Sequence, residues 1–198
     1  ELIELSNGVA VPASGGHLQG IQYDGNAIYI SGSSSTVAYL IEADKKNAAT
    51  TALLPLMEKP YKHAGGFQIA GDFLAVGIED NADKTSSKVC LYNLNSNHLQ
   101  QQTPDLIITR EGPAKVQTAG AVGLLQTGEH NYLLLVANWD SRNWDFYEVD
   151  TKAMKYRKAY SFEAPTDWGS YQSINLLKDD SGIYAIGTYK EARNDKAD

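Results

Sequence analysis

A chain of 198 residues with 42% hydrophobic residues can bury a substantial core, which excludes a disordered protein. The formal net charge of -7 is spread along the chain without a cluster of Lys or Arg, so nucleic acid and anionic membrane surfaces are disfavoured as partners. No apolar stretch is long enough to span a bilayer, and the single cysteine, Cys90, excludes an intrachain disulfide.

The N-terminal segment lacks the basic start and long apolar stretch of a signal peptide. Leu2–Leu5 precedes the first repeat unit in the same way that an outer strand, Thr51–Leu54, precedes the second unit. We therefore interpret residues 1–14 as an outer strand that closes a ring of repeats.

Four kinds of strand recur in a fixed order about every fifty residues, and each first strand is followed by a tight turn containing Gly with Asp or Asn. The first unit, residues 15–58, has strands around Ile21/Tyr23, at Ala27–Gly32, at Val37–Ile41 and at Ala49–Leu54. The second unit, residues 59–112, has them around Phe67/Ile69, at Phe73–Gly77, at Lys88–Tyr92 and at Asp105–Thr109. The third unit, residues 113–164, has them around Val122/Leu124, at Tyr132–Ala137, at Asn143–Tyr147 and at Lys158–Phe162.

The fourth unit, residues 165–198, contains only the first two kinds of strand, around Ile174/Leu176 and at Ile183–Gly187. Four-stranded meanders repeated at this period are typical of β-propeller blades, whereas a β-sandwich has no need of the same strand order and turn residues in every unit. The sequence predicts an all-β chain that forms a single β-propeller domain, with three complete blades and a partial fourth. Because four such blades cannot close, it further predicts a fragment of a ring of five or more blades.

The run His63–Glu79 resembles a segment of predicted bacterial β-propeller-like proteins, many of which are exported. A second matching region contains Ala121–Leu124, Tyr132–Ser141 and Asp145–Tyr147, so that the resemblance covers about half of the chain. The resemblance implies a propeller and a secreted or periplasmic location, with the signal peptide outside this chain. It supplies no catalytic motif, and the WD40 and kelch signatures are absent.

In a propeller, the loops that enter the first strand and leave the second open on one face, around the mouth of the central channel. His17 and His63 occupy equivalent positions at the start of the first strand, and polar or aromatic side chains follow the second strand. We expect a ligand site at this mouth. The candidate residues are His17, His63, Glu79, Asp80, Trp139 and Asp140.

These side chains are compatible with several kinds of chemistry. The imidazoles and carboxylates suit a transition metal, the carboxylates with Asn138 suit calcium, and tryptophan suits a sugar ring. Paired carboxylates also serve as general acid and base. The alternative is structural: the histidines bond to a neighbouring backbone, the acids of Glu79 and Asp80 lie in a solvated loop, and Trp139 is buried between blades.

The sequence favours a binding propeller that engages a protein, a small molecule or a glycan at the channel mouth, with no cofactor required. The alternative is a hydrolase or lyase, with or without a metal, whose site lies at the same mouth. The fold cannot choose between these functions, because propellers support both.

Overall fold

The computed structural model of the protein describes residues 17–25, 27–47, 49–97 and 99–189. Within these ranges the regular structure is entirely β, and no helix has the length and hydropathy required to cross a membrane. The strands are β1 (His17–Tyr23), β2 (Ala27–Ser33), β3 (Val37–Asp44), β4 (Thr50–Glu58), β5 (His63–Ala70), β6 (Phe73–Glu79), β7 (Ser86–Asn93), β8 (Leu106–Glu111), β9 (Ala121–Gln126), β10 (Asn131–Ala137), β11 (Asn143–Asp150), β12 (Lys155–Glu163), β13 (Ser173–Lys178) and β14 (Ile183–Thr188).

Within each unit, strands that are consecutive in the sequence pair antiparallel. Sheet 1 has the order β1-β2-β3-β4, sheet 2 the order β5-β6-β7-β8 and sheet 3 the order β9-β10-β11-β12, while β13 and β14 form a hairpin. A single parallel bridge between Gly66 and Ala121 connects sheets 2 and 3. The first strand of each unit is therefore at the inner edge of its set of strands, where β5 and β9 meet, and the fourth strand of each complete unit is at the outer edge.

The prediction of an all-β fold is confirmed, and every predicted strand within the described ranges overlaps an observed one. The continuous apolar run of the second strand explains its position in the middle of a sheet, and every residue of β6 is buried. Leu2–Leu5 lies outside the described residues. The residue bounds of the blades and a ring of five or more blades stay predictions.

The sheets pack against one another in chain order, and an apolar cluster fills each interface. Between sheets 1 and 2 the cluster includes Leu40, Phe67 and Leu74, all with essentially no exposure. Leu91, Val122 and Leu134 belong to the cluster between sheets 2 and 3, and Leu135, Trp144 and Ile174 belong to the one between sheet 3 and the β13–β14 hairpin. Successive face-to-face packing places β1, β5, β9 and β13 near a common centre.

Gln68 on β5 joins three of these inner strands through its buried amide. Its Oε1 accepts hydrogen bonds from the backbone N–H groups of Leu124 at 2.8 Å and Leu176 at 2.7 Å. Its Nε2 donates to the carbonyl oxygen of Leu176 at 2.9 Å. These bonds satisfy backbone groups that the sheets leave unpaired where their edges meet.

A second buried polar contact joins the outer part of sheet 2 to sheet 3. Arg110 on β8 forms an ion pair with Asp145 on β11, with Nη2 and Oδ2 2.6 Å apart, and donates to the Thr118 carbonyl. Burial opposes ionisation of Asp145, but hydrogen bonds from Lys158, Arg110 and Ser161 outweigh it, so the pKa of this carboxyl is lowered. The acid therefore stays charged and the arginine stays paired.

Candidate functional site

Cross-strand pairing brings the start of each inner strand against the end of the second strand. His17 pairs with Ser33 in sheet 1, and His63 pairs with Glu79 in sheet 2. Both inner strands contain an irregularity just after the histidine, between Leu18 and Ile21 and between Ala64 and Phe67. Such bulges redirect nearby side chains. The two histidines, predicted as equivalent, thus meet at one end of the sheets.

The histidines meet across the hydroxyl of Ser33. Its Oγ lies 3.2 Å from Nδ1 of His63 and 3.3 Å from Nδ1 of His17. The two imidazole rings are tilted against each other with their centroids 4.9 Å apart. On the far side of His63, Nε2 lies 3.6 Å from Oε1 of Glu79. The four side chains form a continuous polar line from the exposed His17 to the interior.

Glu79 is fully buried, and its two oxygens have different surroundings. Oε2 accepts a hydrogen bond from the backbone N–H of Ala119 at 2.9 Å, which fixes the carboxyl group. Oε1 accepts no hydrogen bond from any described residue. Burial is the main cause that raises the pKa of Glu79 to about 7. The site therefore contains a carboxyl that changes charge near neutral pH.

The pKa of His63 is shifted in the direction expected for a buried base. Burial first, and then the positive charges of His17, Lys62 and Lys84, lower its pKa to about 4. The ring is therefore neutral near pH 7, and it can accept a proton at one nitrogen while it donates from the other. Burial is the largest cause of both shifts, so the site combines a neutral imidazole with a carboxyl that is partly ionised near pH 7.

A cavity of about 130 Å³ opens beside this line of side chains. Its lining is polar apart from one aromatic ring. The lining residues are His17, Gln19, His63, Glu79, Asn81, Gly120, Trp139 and Gln172. An outer hollow of about 310 Å³ shares His17, Gln19 and Gln172 with the cavity and extends to Thr188 and Tyr189. The cavity is thus lined by residues of sheets 1 and 2, by loop residues next to sheet 3 and by Gln172 before β13, whereas the hollow lies between β1 and the β13–β14 hairpin.

Trp139 closes one side of the cavity and is 39% exposed. Its ring lies beneath the ammonium of Lys84, which is 3.8 Å from the ring centroid, and Lys115 approaches to 5.8 Å. Its backbone N–H donates to Oγ1 of Thr118 at 2.6 Å. Thr118 thus holds the loop that carries the tryptophan.

The structure brings His17, His63, Glu79 and Trp139 to one cavity, whereas Asp80 and Asp140 serve their own loops. Oδ1 of Asp80 accepts from the backbone N–H groups of Ala82 and Asp83, and Oδ1 of Asp140 accepts from that of Arg142. Neither aspartate lines the cavity. Among the residues that the structure describes, no three His, Cys, Asp or Glu side chains group closely enough to hold a metal ion.

Sequence reasoning missed Ser33 as a partner of both histidines, and it missed Gln19 and Gln172. Nε2 of Gln19 donates to the carbonyl oxygens of Gly120 at 3.1 Å and Gln172 at 3.3 Å. The available signal for Ser33 was its place at the end of the second strand, since antiparallel pairing sets that end opposite His17. Gln172 carried no local signal, because it reaches the site through packing of distant sheets.

No protein-family model matches the chain, and no curated protein is significantly similar to it. Among solved structures the chain is similar to the WD40 domain of Neurospora crassa Pan2, with a TM-score of 0.50 and 12% identity over 87% of this chain and 44% of that one. It is also similar to an exo-β-1,3-galactanase from Phanerochaete chrysosporium, with a TM-score of 0.50 and 9% identity over 87% of this chain and 43% of that one.

The chain thus spans less than half the length of these solved chains. At such low identity the similarity concerns the fold alone. It is nevertheless consistent with the antiparallel meanders packed in chain order, and the fold is that of a β-propeller-like protein. Domains that bind and enzymes that hydrolyse both occur with this fold, so the function must be argued from the cavity.

Proposed function

We propose that the protein is a binding propeller that recognises a small polar ligand, the end of a glycan, in the cavity beside Glu79. The observation that carries the proposal is Oε1 of Glu79, a residue that lines the cavity: this oxygen is buried and accepts no hydrogen bond from a described residue. A buried acceptor without a partner costs about 1–3 kcal/mol. A ligand hydroxyl that donates to this oxygen recovers that free energy.

The rest of the lining suits hydroxyl groups better than a cation. Lys84 already places its ammonium over Trp139, where it would repel a positively charged ligand. The amides of Asn81 and Gln172 offer both donors and acceptors, which matches the mixed character of a sugar hydroxyl. A glycan ligand also agrees with the extracytoplasmic location that we propose for the protein.

An array of defined oligosaccharides tests the proposal. We expect the chain to bind a subset of the glycans, and Glu79→Gln to weaken that signal at least tenfold, because the amide presents a donor where the ligand needs an acceptor. Asp83→Asn, on the exposed loop that follows Glu79, is the matched control and should bind as the unchanged chain does. A silent array, or equal binding by Glu79→Gln, would reject the glycan ligand and favour a protein partner.

A hydrolase that acts at the same cavity is the second candidate. The raised pKa of Glu79 favours it, because a carboxyl that titrates near pH 7 can transfer protons under ordinary conditions. Release of 4-nitrophenol from 4-nitrophenyl galactosides, lost in Glu79→Gln, would support a glycosidase. Absence of release would count against that form of the hydrolase.

We also propose that the chain forms part of a ring of five or more blades, with blade bounds at 15–58, 59–112, 113–164 and 165–198. The support comes from β14, whose equivalents β2, β6 and β10 are covered on both edges by neighbouring strands. In β14 the side chains of Ile183, Tyr184 and Ile186 are about half exposed. Class averages of the natural protein by electron microscopy would show the number of blades, and four or fewer would reject the proposal.

The location and the metal content are proposals that simple measurements can test. A secreted or periplasmic protein would appear in the extracytoplasmic fraction of the source cells, and a purely cytoplasmic signal would contradict this. We invoke no metal at the site, although calcium or a transition metal stays compatible with the oxygen and imidazole groups at the mouth. Elemental analysis, with a thermal melt before and after chelation, would detect one.

A further inference from the structure

Three buried serines near the end of β2 differ in what their hydroxyl groups contact. Oγ of Ser31 donates to the carbonyl of Gly65 at 2.7 Å and accepts from the N–H of Gly20 at 2.9 Å. Oγ of Ser34 bonds to backbone atoms of Thr36 and Val37 in its own turn. Among the residues that the structure describes, Oγ of Ser33 hydrogen-bonds to imidazole nitrogens alone, those of His17 and His63. Its role is therefore not to satisfy the backbone.

Ser33, His63 and Glu79 stand in the order hydroxyl, imidazole, carboxyl. The Ser33 oxygen lies 3.2 Å from one nitrogen of His63, and the other nitrogen lies 3.6 Å from the Glu79 carboxyl. In such an arrangement the imidazole removes the hydroxyl proton while the carboxyl orients the ring and stabilises its positive charge. The second distance is longer than a hydrogen bond, as is common for catalytic groups without substrate.

The supporting contacts hold this array in place. The N–H of Ala119 fixes the Glu79 carboxyl through its other oxygen, so the free oxygen stays directed toward His63. His63 is neutral near pH 7, so one of its nitrogens can accept the hydroxyl proton, but the burial that lowers its pKa to about 4 makes it a weaker base than a free imidazole. The ring of His17 packs against His63 and covers it on the solvent side. Nucleophile, base and carboxyl come from β2, β5 and β6, which are rigid sheet strands.

We propose that Ser33 is the nucleophile of an esterase site that removes short acyl groups from hydroxyls of the bound glycan. This proposal rests on the proposed function, since the same cavity and hollow hold the substrate. The cavity of about 130 Å³ has room for a short acyl group, and the adjoining hollow of about 310 Å³ would take the alcohol part. Ser33 lies behind the cavity wall, bonded to His17 and His63, both of which line the cavity. In the proposed reaction Ser33 is the catalytic residue that reaches the acyl carbon, and His17, which covers it, is a positioning residue.

The reaction balances with water as the only co-reactant. Oγ of Ser33 bonds to the ester carbonyl carbon while its proton passes to Nδ1 of His63, and the tetrahedral intermediate expels the alcohol, which takes that proton. Water then loses a proton to His63 and attacks the acyl-serine. The acid is released and the proton returns to Ser33. No oxidant, reductant or metal is consumed.

Covalent labelling with a fluorophosphonate probe tests this site directly. We expect peptide mass spectrometry to find the phosphonyl group on Ser33, and Ser33→Ala to remove it. His63→Gln and Glu79→Gln should each slow labelling at least a hundredfold, because the hydroxyl then loses its base or the base loses its orientation. Ser34→Ala, in the adjacent turn, is the matched control and should label at the original rate. The rates at which the variants hydrolyse 4-nitrophenyl acetate should rank in the same order as their labelling rates.

Labelling elsewhere, no labelling, or equal rates in His63→Gln and the unchanged chain would overturn the proposal. Thermal melts identify variants that fail to fold, and for those the conservative Ser33→Cys variant, alkylated by iodoacetamide, reports whether the position is activated. Its alkylation should depend on His63, and independence would reject the role. Glycan binding by the unchanged chain is measured separately on the array, so that binding without labelling of Ser33 rejects the esterase alone, whereas a silent array rejects the binding function.

Discussion

At the scale of single residues, burial shifts the pKa values of Glu79 and His63, the two neighbouring titratable groups of the site, in opposite directions. Glu79 has a higher pKa in the folded chain than its ordinary 4.5, so its contribution to stability is complete at low pH and is lost as the pH rises toward 7. His63 has a lower pKa than its ordinary 6.5, so its contribution is complete at high pH and is lost as the pH falls toward 4. Between these values the two effects oppose each other.

Removal of the Glu79 carboxyl should therefore reveal the effect of His63 on stability. We expect the unfolding free energy of Glu79→Gln to fall more steeply on acidification between pH 6.5 and 4.5 than that of the unchanged chain, by up to about 1.4 kcal/mol per pH unit. Urea denaturation at several pH values measures the slope. Glu129→Gln, which changes an exposed carboxyl, is the control. Identical slopes for Glu79→Gln and the unchanged chain would contradict the buried, uncharged state of Glu79.

Part of the site was visible in the sequence, and the missing part has a physical reason. His17 and His63 were predictable because they recur at equivalent strand starts in the first two units, and Glu79 because it ends a buried strand. Ser33 was not assigned, since its role depends on the strand register at a bulge. Gln68 reads as an ordinary polar position of an alternating strand, although its partners are Leu124 and Leu176. Non-local hydrogen bonds leave no local pattern.

At the scale of strands, Gln68 determines how β5, β9 and β13 meet. Gln68→Leu preserves the volume but leaves two buried N–H groups without an acceptor, and we expect a loss of about 3 kcal/mol in the unfolding free energy. Chemical denaturation measures the loss. Gln101→Leu, at an exposed position outside the strands, should stay within about 0.5 kcal/mol. If Gln68→Leu lost as little unfolding free energy as the control, these inner strands would be held by apolar contacts alone.

Close approach of the inner strands also depends on glycine. A Cβ atom at Gly65 would press into the carbonyl oxygen of Gly120 on the neighbouring inner segment, so that backbone would have to move. We expect Gly65→Ala to cost about 1–3 kcal/mol, as overpacking does, and to lower the melting temperature. Gly182→Ala, where nothing lies within 4 Å of the new Cβ, is the matched control and should melt as the unchanged chain does. Equal melting of both variants would mean that the inner strands are further apart.

The strands themselves were the most predictable feature of the molecule. Alternating apolar residues bounded by Gly, Asp and Asn encode a strand and its turn within about ten residues, and all of this information is local. The buried ion pair of Arg110 with Asp145 is a contact that such local information does not predict. Alternation places Arg110 on the same strand face as Ile108 and Asp145 on the same face as Tyr147, but only the packing of sheet 2 on sheet 3 makes the two charged side chains meet.

At the scale of the whole molecule, the sequence indicates the order of the sheets, since each repeat unit packs against the next. The sequence does not indicate how closely the inner strands approach each other. Nε2 of Gln22 on β1 donates to Oδ1 of Asn175 on β13 at 2.9 Å, so the first and last sheets touch at their inner edges. Farther out, the face of β14 stays exposed, and the distribution of burial is thus uneven along the chain.

Because burial differs along the chain, the same substitution at equivalent positions should lower the unfolding free energy by different amounts. Val76 on β6 has no exposure, whereas Ile186 on β14 is 53% exposed. Val76→Lys would bury an unpaired charge and should lower the unfolding free energy by several kcal/mol. Ile186→Lys places its ammonium in water and should change it by less than about 0.5 kcal/mol. Denaturation of both variants gives the comparison, and a similar large loss in both would mean that β14 is already covered in the 198-residue chain.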